Sequence, residues 1–419
     1  MSVSPSEPSS GYHRVVRSPL RIDHAVVCLA LAGLHCGSRT GLTDAVFSDA
    51  GVRELHDARA QADVSLLGDA RQPADSTADG APVDASSCTP APAGGVTVGS
   101  FPENVISMAI AVLGSTIYAG TTAIGGDASP LYNAAFSRVP AVGGATLSVN
   151  APDYNFGPLV TDGARVYYEQ TSGAPTGPNG AIYQTLGLAA IDLASGTVEP
   201  IATTAVPYST SSVLGSDMLA ATSASPGVYW AGASGGSDSA TGVFQWDPET
   251  GTVTMIATGQ AIRGLAVDAS GVYWADTGGA QGDGITLWKG PLGGGPSTML
   301  ATVPGGTFGQ LLGVSSDDVV FVSDYMSGAI DTVSKQGGAV TPLAKSAGAW
   351  VNASAWVDSH YLYWTEDSSP TKLTRVPVAG GSPDVVPTEG AIQSLAFDAC
   401  NLYIGTYGPT QVLILPNPG

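Results

Sequence analysis

Basic residues are scarce in this 419-residue chain: 15 Lys and Arg stand against 35 Asp and Glu, for a formal net charge of −20. Nucleic-acid binding draws most of its affinity from clustered Lys and Arg that neutralise phosphates, so nucleic acid is excluded as a partner. Histidine is scarcer still. The five are His13, His24, His35, His56 and His360, and only His360 lies beyond residue 93, in a predicted hairpin turn. General acid–base catalysis, Ser-His triads and His-ligated metals all need imidazoles, which the C-terminal three quarters of the chain does not supply. Zinc-type Cys/His spacing, a phosphate-binding glycine loop and a nucleophile elbow are also missing; the paired glycines fall in turns, where Gly supplies φ > 0. The apolar run Ala25 to Leu34 is too short to span a bilayer.

That run is preceded by Arg14, Arg17 and Arg21, the order of a positively charged region and an apolar core that defines an export signal. The segment opening at Cys36, Cys36-Gly37-Ser38-Arg39, resembles the start of a mature bacterial lipoprotein, which implies acylation of Cys36. Leu34 and His35 stand where such signals carry small residues, so free secretion after Ala32 is the alternative. From Gly37 to Ala93 the chain is rich in Asp, Ala, Ser and Pro and poor in aromatic and β-branched residues. It buries too little apolar surface to offset its ordering entropy and reads as a disordered acidic tether. The expected organisation is an export signal over 1–36, a linker over 37–93 and one folded domain over 94–419. A lipid anchor would be the chain's only membrane contact, and a monomer is expected.

What the chain has in quantity is glycine, 55 residues, and proline, 29, the profile of many short strands joined by tight turns. Gly264 to Asp276, GLAVDASGVYWAD, is an apolar strand, a polar turn and a second strand ending in aromatics; it recurs as SLAFDACNLYIGT from Ser394, as SAWVDSHYLYWTE from Ser354 and in shorter form from Gly313 to Asp324. Weaker copies centre on Tyr118, Tyr167 and Tyr229. The anchor aromatics Tyr118, Tyr167, Tyr229, Tyr273, Phe321, Tyr363 and Tyr403 are 49, 62, 44, 48, 42 and 40 residues apart. This spacing fits four-stranded blades with variable loops. The predicted fold is therefore all-β, a seven-bladed β-propeller; six blades is the alternative if the copies across the 62-residue interval do not form separate blades.

The last copy stops after its third strand, Gln411 to Leu415, and the missing fourth is predicted in Gly94 to Ser100 at the other end of the domain. Such an overlap closes the ring and removes an exposed sheet edge. Cys28 and Cys36 belong to the export signal, which leaves Cys88 beside the closing strand and Cys400 in the first hairpin of the blade it completes. A disulfide between them is expected in an oxidising compartment.

The endings Tyr273-Trp274-Ala275-Asp276, Phe321-Val322-Ser323-Asp324 and Tyr363-Trp364-Thr365-Glu366 resemble the YWTD and NHL-like propeller repeats. With the turn Arg375-Val376-Pro377-Val378-Ala379-Gly380-Gly381, the unit is similar to repetitive propeller lipoproteins of myxobacteria. The resemblance covers about three quarters of the chain and implies a fold rather than an activity. Related propellers with streptogramin lyase activity use histidines beside a metal, which makes that activity a poor match.

Two constellations carry candidate chemistry. Asp276, Asp324 and Glu366 end the second strand of three consecutive blades, and three carboxylates at one rim suit Ca²⁺; the competing reading is that each bonds its own blade. Tyr154, Phe308 and Trp350 each stand 13 residues before their anchor aromatic, Arg263 stands 10 before Tyr273, and Tyr208 lies in a comparable loop. With the long loops from Thr121 to Asn133, Gln170 to Ala181 and Ala231 to Gly242 they face a protein, peptide or glycan ligand, or else plug gaps between blades. Asp162, Asp268, Asp358 and Asp398 sit in hairpin turns, where Asp caps backbone groups. The favoured function is an exported, non-enzymatic binding or protein-interaction module without a cofactor. The alternative is a divalent-cation-dependent lyase or hydrolase built on the rim carboxylates.

Overall fold

A computed structural model describes residues 89–417, apart from 93, 102–104, 125–131, 142–146, 150–154, 173–183, 202–205, 208–218, 234–239, 279–283, 306–308, 325–326, 347–354, 367–368 and 409. The chain divides into two units, Met1–Thr77 and Ala78–Gly419; only the second contains described residues. The export signal, Cys36, the tether up to residue 88 and Cys88 itself lie outside them.

All regular structure among the described residues is antiparallel strand. The first four-stranded unit runs β2 (Val105–Leu113), β3 (Thr116–Ile124), β4 (Tyr132–Pro140), β5 (Leu147–Val149), and the second β6 (Asn155–Thr161), β7 (Arg165–Ser172), β8 (Gln184–Asp192), β9 (Val198–Ile201). An eight-stranded sheet follows, made of β10 (Val206–Pro207), β11 (Leu219–Thr222), β12 (Ser225–Ala233), β13 (Ala240–Asp247), β14 (Thr252–Asp268), β15 (Gly271–Asp276), β16 (Ile285–Gly290) and β17 (Thr298–Val303). It divides at the 17-residue β14, whose first part pairs β13 and whose last part pairs β15, giving a third and a fourth unit. β10 and β11 share the inner side of β12 as one interrupted strand. The fifth unit is β18 (Gln310–Val314), β19 (Asp318–Asp324), β20 (Ala329–Ser334), β21 (Thr341–Lys345), and the sixth β22 (Ala355–Val357), β23 (Tyr361–Glu366), β24 (Ser369–Pro377), β25 (Asp384–Val386). The seventh combines β26 (Ala391–Phe397), β27 (Asn401–Tyr407) and β28 (Gln411–Pro416) with β1 (Val96–Ser100). Val96, Thr97 and Val98 pair with Ile414, Leu413 and Val412, so the N-terminal strand completes the last sheet. This is a β-propeller.

The core is a set of seams rather than a single centre. Each of seven apolar clusters joins one unit to the next, and one of them, with Tyr403, Val412 and Ile414 against Met108, Ile117 and Val139, joins the seventh to the first. Strand alternation explains how one short motif feeds two seams, because successive side chains point to opposite sheet faces. In Tyr229-Trp230, Tyr273-Trp274 and Tyr363-Trp364 the tyrosine packs on the following unit and the tryptophan on the preceding one. All six side chains are at most 2% exposed, and truncating one such Trp to Ala costs about 3–5 kcal/mol.

The fifth copy corrects the anchor assignment. Phe321 packs backwards against Tyr273 and Leu287, while Val320 and Val322 face the sixth unit. Val320 therefore holds the tyrosine's place and Phe321 that of the tryptophan. The frame differs by one because the hairpin that precedes it starts at Ser315, bonded to Asp318, where those of the second, fourth, sixth and seventh units start at Asp162, Asp268, Asp358 and Asp398.

Close approach of neighbouring units sets one glycine absolutely. Gly264, at a bulge in β14, has φ +78°, and a Cβ there would lie 2.2 Å from the Leu311 carbonyl oxygen of the fifth unit.

Candidate functional site

The hairpins joining the first two strands of the units carry a repeated side-chain clasp. In the second unit Asp162 Oδ1 accepts the Ala164 and Arg165 amides at 2.9 and 2.8 Å, closing the turn. Its Oδ2 accepts the buried Tyr167 hydroxyl at 2.6 Å and the Gly227 amide of the third unit at 3.1 Å. Asp358 repeats this with His360, Tyr361 and Tyr363, and Asp398 with Cys400, Asn401 and Tyr403. Burial, reinforced by the adjacent carboxylate, pushes the hydroxyls of Tyr167, Tyr363 and Tyr403 well above the ordinary phenol range, so they stay protonated and donate. These aspartates cap turns as expected. Sequence reasoning missed that their second oxygen holds the anchor tyrosine.

The fourth unit varies the clasp. Asp268 caps its turn through Ser270 and Gly271, and its Oδ2 accepts Lys335 Nζ of the fifth unit at 2.5 Å. Lys335 is buried at 7% exposure and also donates to the carbonyls of Ser315 and Ser316. Burial alone would raise the Asp268 carboxyl, but the hydrogen bonds from Lys335 and Ser270 outweigh it and hold the group below its usual range. The Lys335 amide bonds the Asp317 carbonyl in the preceding turn just as Val378 bonds His360, Leu193 bonds Ala164 and Ala141 bonds Ser115. The same place holds Val378, Leu193 and Ala141 in three other units and Asn417 in the seventh, so its one lysine was the available signal.

The opposite ends of the second strands hold the carboxylates considered for calcium. Asp276 Oδ2 accepts the Gln260 amide at 3.0 Å, and its Oδ1 accepts those of Ala261 and Gly278 at 3.1 and 3.0 Å. The group fastens the end of β15 to the middle of β14. Asp324 lies beyond a register shift between Val322 and Asp324, one residue past Ser323, which matches Asp276 in the corrected frame. Glu366 ends β23, and its side chain lies outside the described residues. No group of three or more His, Cys, Asp or Glu side chains able to hold a metal occurs among the described residues.

Of the candidate ligand residues, Tyr154, Tyr208, Phe308 and Trp350 lie outside the described residues. Arg263 is described: it is half-buried, at the bulge of β14 beside Gly264. The structure therefore neither brings these five together nor separates them. The first strands of all seven units converge on a cavity of about 580 Å³ whose lining among the described residues, including Met108, Leu159, Leu265, Leu312, Trp356 and Gln393, contains no charged side chain.

Glu169 stands apart from these groups. It lies on β7 two residues beyond Tyr167, is 4% exposed, and burial raises its carboxyl to about 7. The corresponding places two residues beyond the other tyrosine anchors hold Gly120, Ala231, Ala275, Thr365 and Gly405, so a carboxylate among small residues was a legible but unused signal.

No protein-family model matches the chain, and no curated relative matches it. Solved structures do. An oligogalacturonate lyase in complex with manganese is 13% identical with a TM-score of 0.52, covering 77% of this chain and 96% of its own. The β-propeller domain of the trilobed protease from Pyrococcus furiosus is 11% identical with a TM-score of 0.49 over 74% of this chain and 94% of its own. BamB from Moraxella catarrhalis is 15% identical with a TM-score of 0.43 over 74% and 83%. At these identities the likeness is one of fold.

Proposed function

We propose that the chain is an exported, envelope-anchored binding module: a seven-bladed propeller over 94–419, carried on a tether over 37–93 behind an export signal over 1–36 and acylated at Cys36. Each four-stranded unit is one blade. The module takes a protein, peptide or glycan on the face formed by the loops entering each blade and the loops after each second strand, through Tyr154, Tyr208, Arg263, Phe308 and Trp350. It performs no chemistry on that ligand.

One observation carries the reading. Acidic side chains of the described residues are engaged in holding the scaffold: Asp276, one of the three rim carboxylates, accepts three backbone amides, Asp162 accepts three amides and a tyrosine hydroxyl, and Asp358 and Asp398 each accept two amides and a tyrosine hydroxyl. A rigid ring presenting variable loops suits recognition. Closure by β1 is reinforced, on this reading, by a Cys88–Cys400 disulfide. In support, Asn401, next to Cys400, receives the Ala91 amide at 2.7 Å and donates to the Thr89 carbonyl at 3.2 Å, which anchors the chain directly after Cys88 beside Cys400.

The test is a thermal-shift screen of the chain against glycans, peptidoglycan fragments and peptides, since a ligand of the folded state raises the midpoint with its concentration. A shift lost in Trp350→Ala and Arg263→Ala supports the proposed face. A shift that survives both variants removes it.

A further inference from the structure

Glu169 is the one described carboxyl that the scaffold buries without giving it a partner. It is 4% exposed, it forms no hydrogen bond among the described residues, and burial is the sole cause acting on it. Sharing the side of β7 with Tyr167, which packs on Leu219, Val228 and Trp230, it faces the seam between the second and third units.

Positive charge is sparse around that seam. Between Arg165 and Arg263 the sequence contains no Lys, Arg or His. On Glu169's own strand the charged group is Arg165, four residues and roughly 13 Å along the strand. β6, β10 and β11 bear no ionisable side chain. β8 contributes Asp192 at its far end, β9 the exposed Glu199, β12 the phenol Tyr229 and β13 Asp247 at its far end. The connecting segments add Asp153, Asp162, Asp217, Asp238 and Glu249. Every charge available on this side, Arg165 excepted, has the same sign as an ionised Glu169.

We propose that Glu169 makes the seam between the second and third units pH-sensitive: the seam is tight while the carboxyl is protonated and loosens when it ionises. A folded-state value of about 7 against 4.5 for an ordinary glutamate means that the folded chain keeps this proton longer than the unfolded chain. Its contribution to stability is complete below the lower value and is lost as the pH rises through the upper one.

The experiment compares thermal midpoints of the full chain and Glu169→Gln from about pH 5 to about pH 8, the difference between the two removing the titrations they share. Glutamine keeps the shape and cannot ionise. The variant's advantage should grow with pH by on the order of 5 °C, most of it through neutrality. A difference that stays constant across the range overturns the proposal. If Glu169→Gln does not fold, infrared spectra of wild-type chain with ¹³C-labelled glutamate carboxyls decide instead, at about pH 6, where ordinary glutamates are ionised. A protonated-acid carbonyl band that disappears by about pH 8.5 supports the assignment, and its absence at the lower pH sinks it.

Discussion

Tyr167 donates its buried hydroxyl to Asp162 Oδ2 at 2.6 Å, and the same oxygen accepts the Gly227 amide of the neighbouring unit at 3.1 Å. One carboxylate thus closes a turn, orients an anchor aromatic and ties two units together. Removing the hydroxyl in Tyr167→Phe should cost about 1–2 kcal/mol, and Asp162→Ala, which also strips the turn amides and Gly227, about 2–4 kcal/mol. Urea unfolding at neutral pH measures both. Equal effects of the two substitutions would deny the carboxylate its wider role.

Lys335 and Asp268 form the second test. Lys335→Met places an apolar chain where Val378 and Leu193 stand in other units, but it leaves the Asp268 carboxylate and two carbonyls without their donor. Breaking a buried pair from one side costs about 3–5 kcal/mol. Because the folded Asp268 carboxyl is held low, the pair's contribution is present above the unfolded aspartate value and fades as the pH falls through the folded one. The penalty of Lys335→Met should therefore be large at neutral pH and shrink in acid. A pH-independent penalty would assign it to packing.

Gly264→Ala tests the closeness of the fourth and fifth units. A methyl group 2.2 Å from the Leu311 carbonyl oxygen at φ +78° forces the inner strands apart, with a loss of at least about 3 kcal/mol. Thermal unfolding of this variant beside Gly251→Ala, at φ +66° with nothing within 4 Å of its Cβ, separates the clash from the backbone strain common to both.

Much of this architecture was legible in the sequence. The strand–turn–strand repeat and the closure by residues 94–100 follow from alternation and from counting strands at both ends. Phe321 shows where that reading fails: chemistry marks the aromatic as the anchor, whereas position in the hairpin gives the role to Val320. The same slip aligned Asp324 with Asp276. Pairings across seams, such as Lys335 with Asp268 67 residues away, depend on which face each strand turns to its neighbour, and no local pattern encodes that. Four of the five proposed ligand residues lie outside the described residues, in sequence where neither periodicity nor turn chemistry fixes a side chain's direction.

The Cys88–Cys400 proposal predicts one disulfide in the exported chain. Peptide mapping without reduction should recover the two cysteines linked, and Cys400→Ser should lower stability by about 2–4 kcal/mol. Recovery of Cys400 linked to another cysteine would refute the pairing.

The central claim is that this propeller binds and does not convert. Its most direct test incubates the full chain with the glycan, peptidoglycan-fragment and peptide panels, with Ca²⁺ or EDTA, following the thermal midpoint and recovering each compound for mass analysis. The account predicts a ligand that raises the midpoint with concentration, equally in Ca²⁺ and EDTA, and is recovered intact. A cleaved product that forms only with the divalent cation and disappears in Asp276→Ala would contradict it.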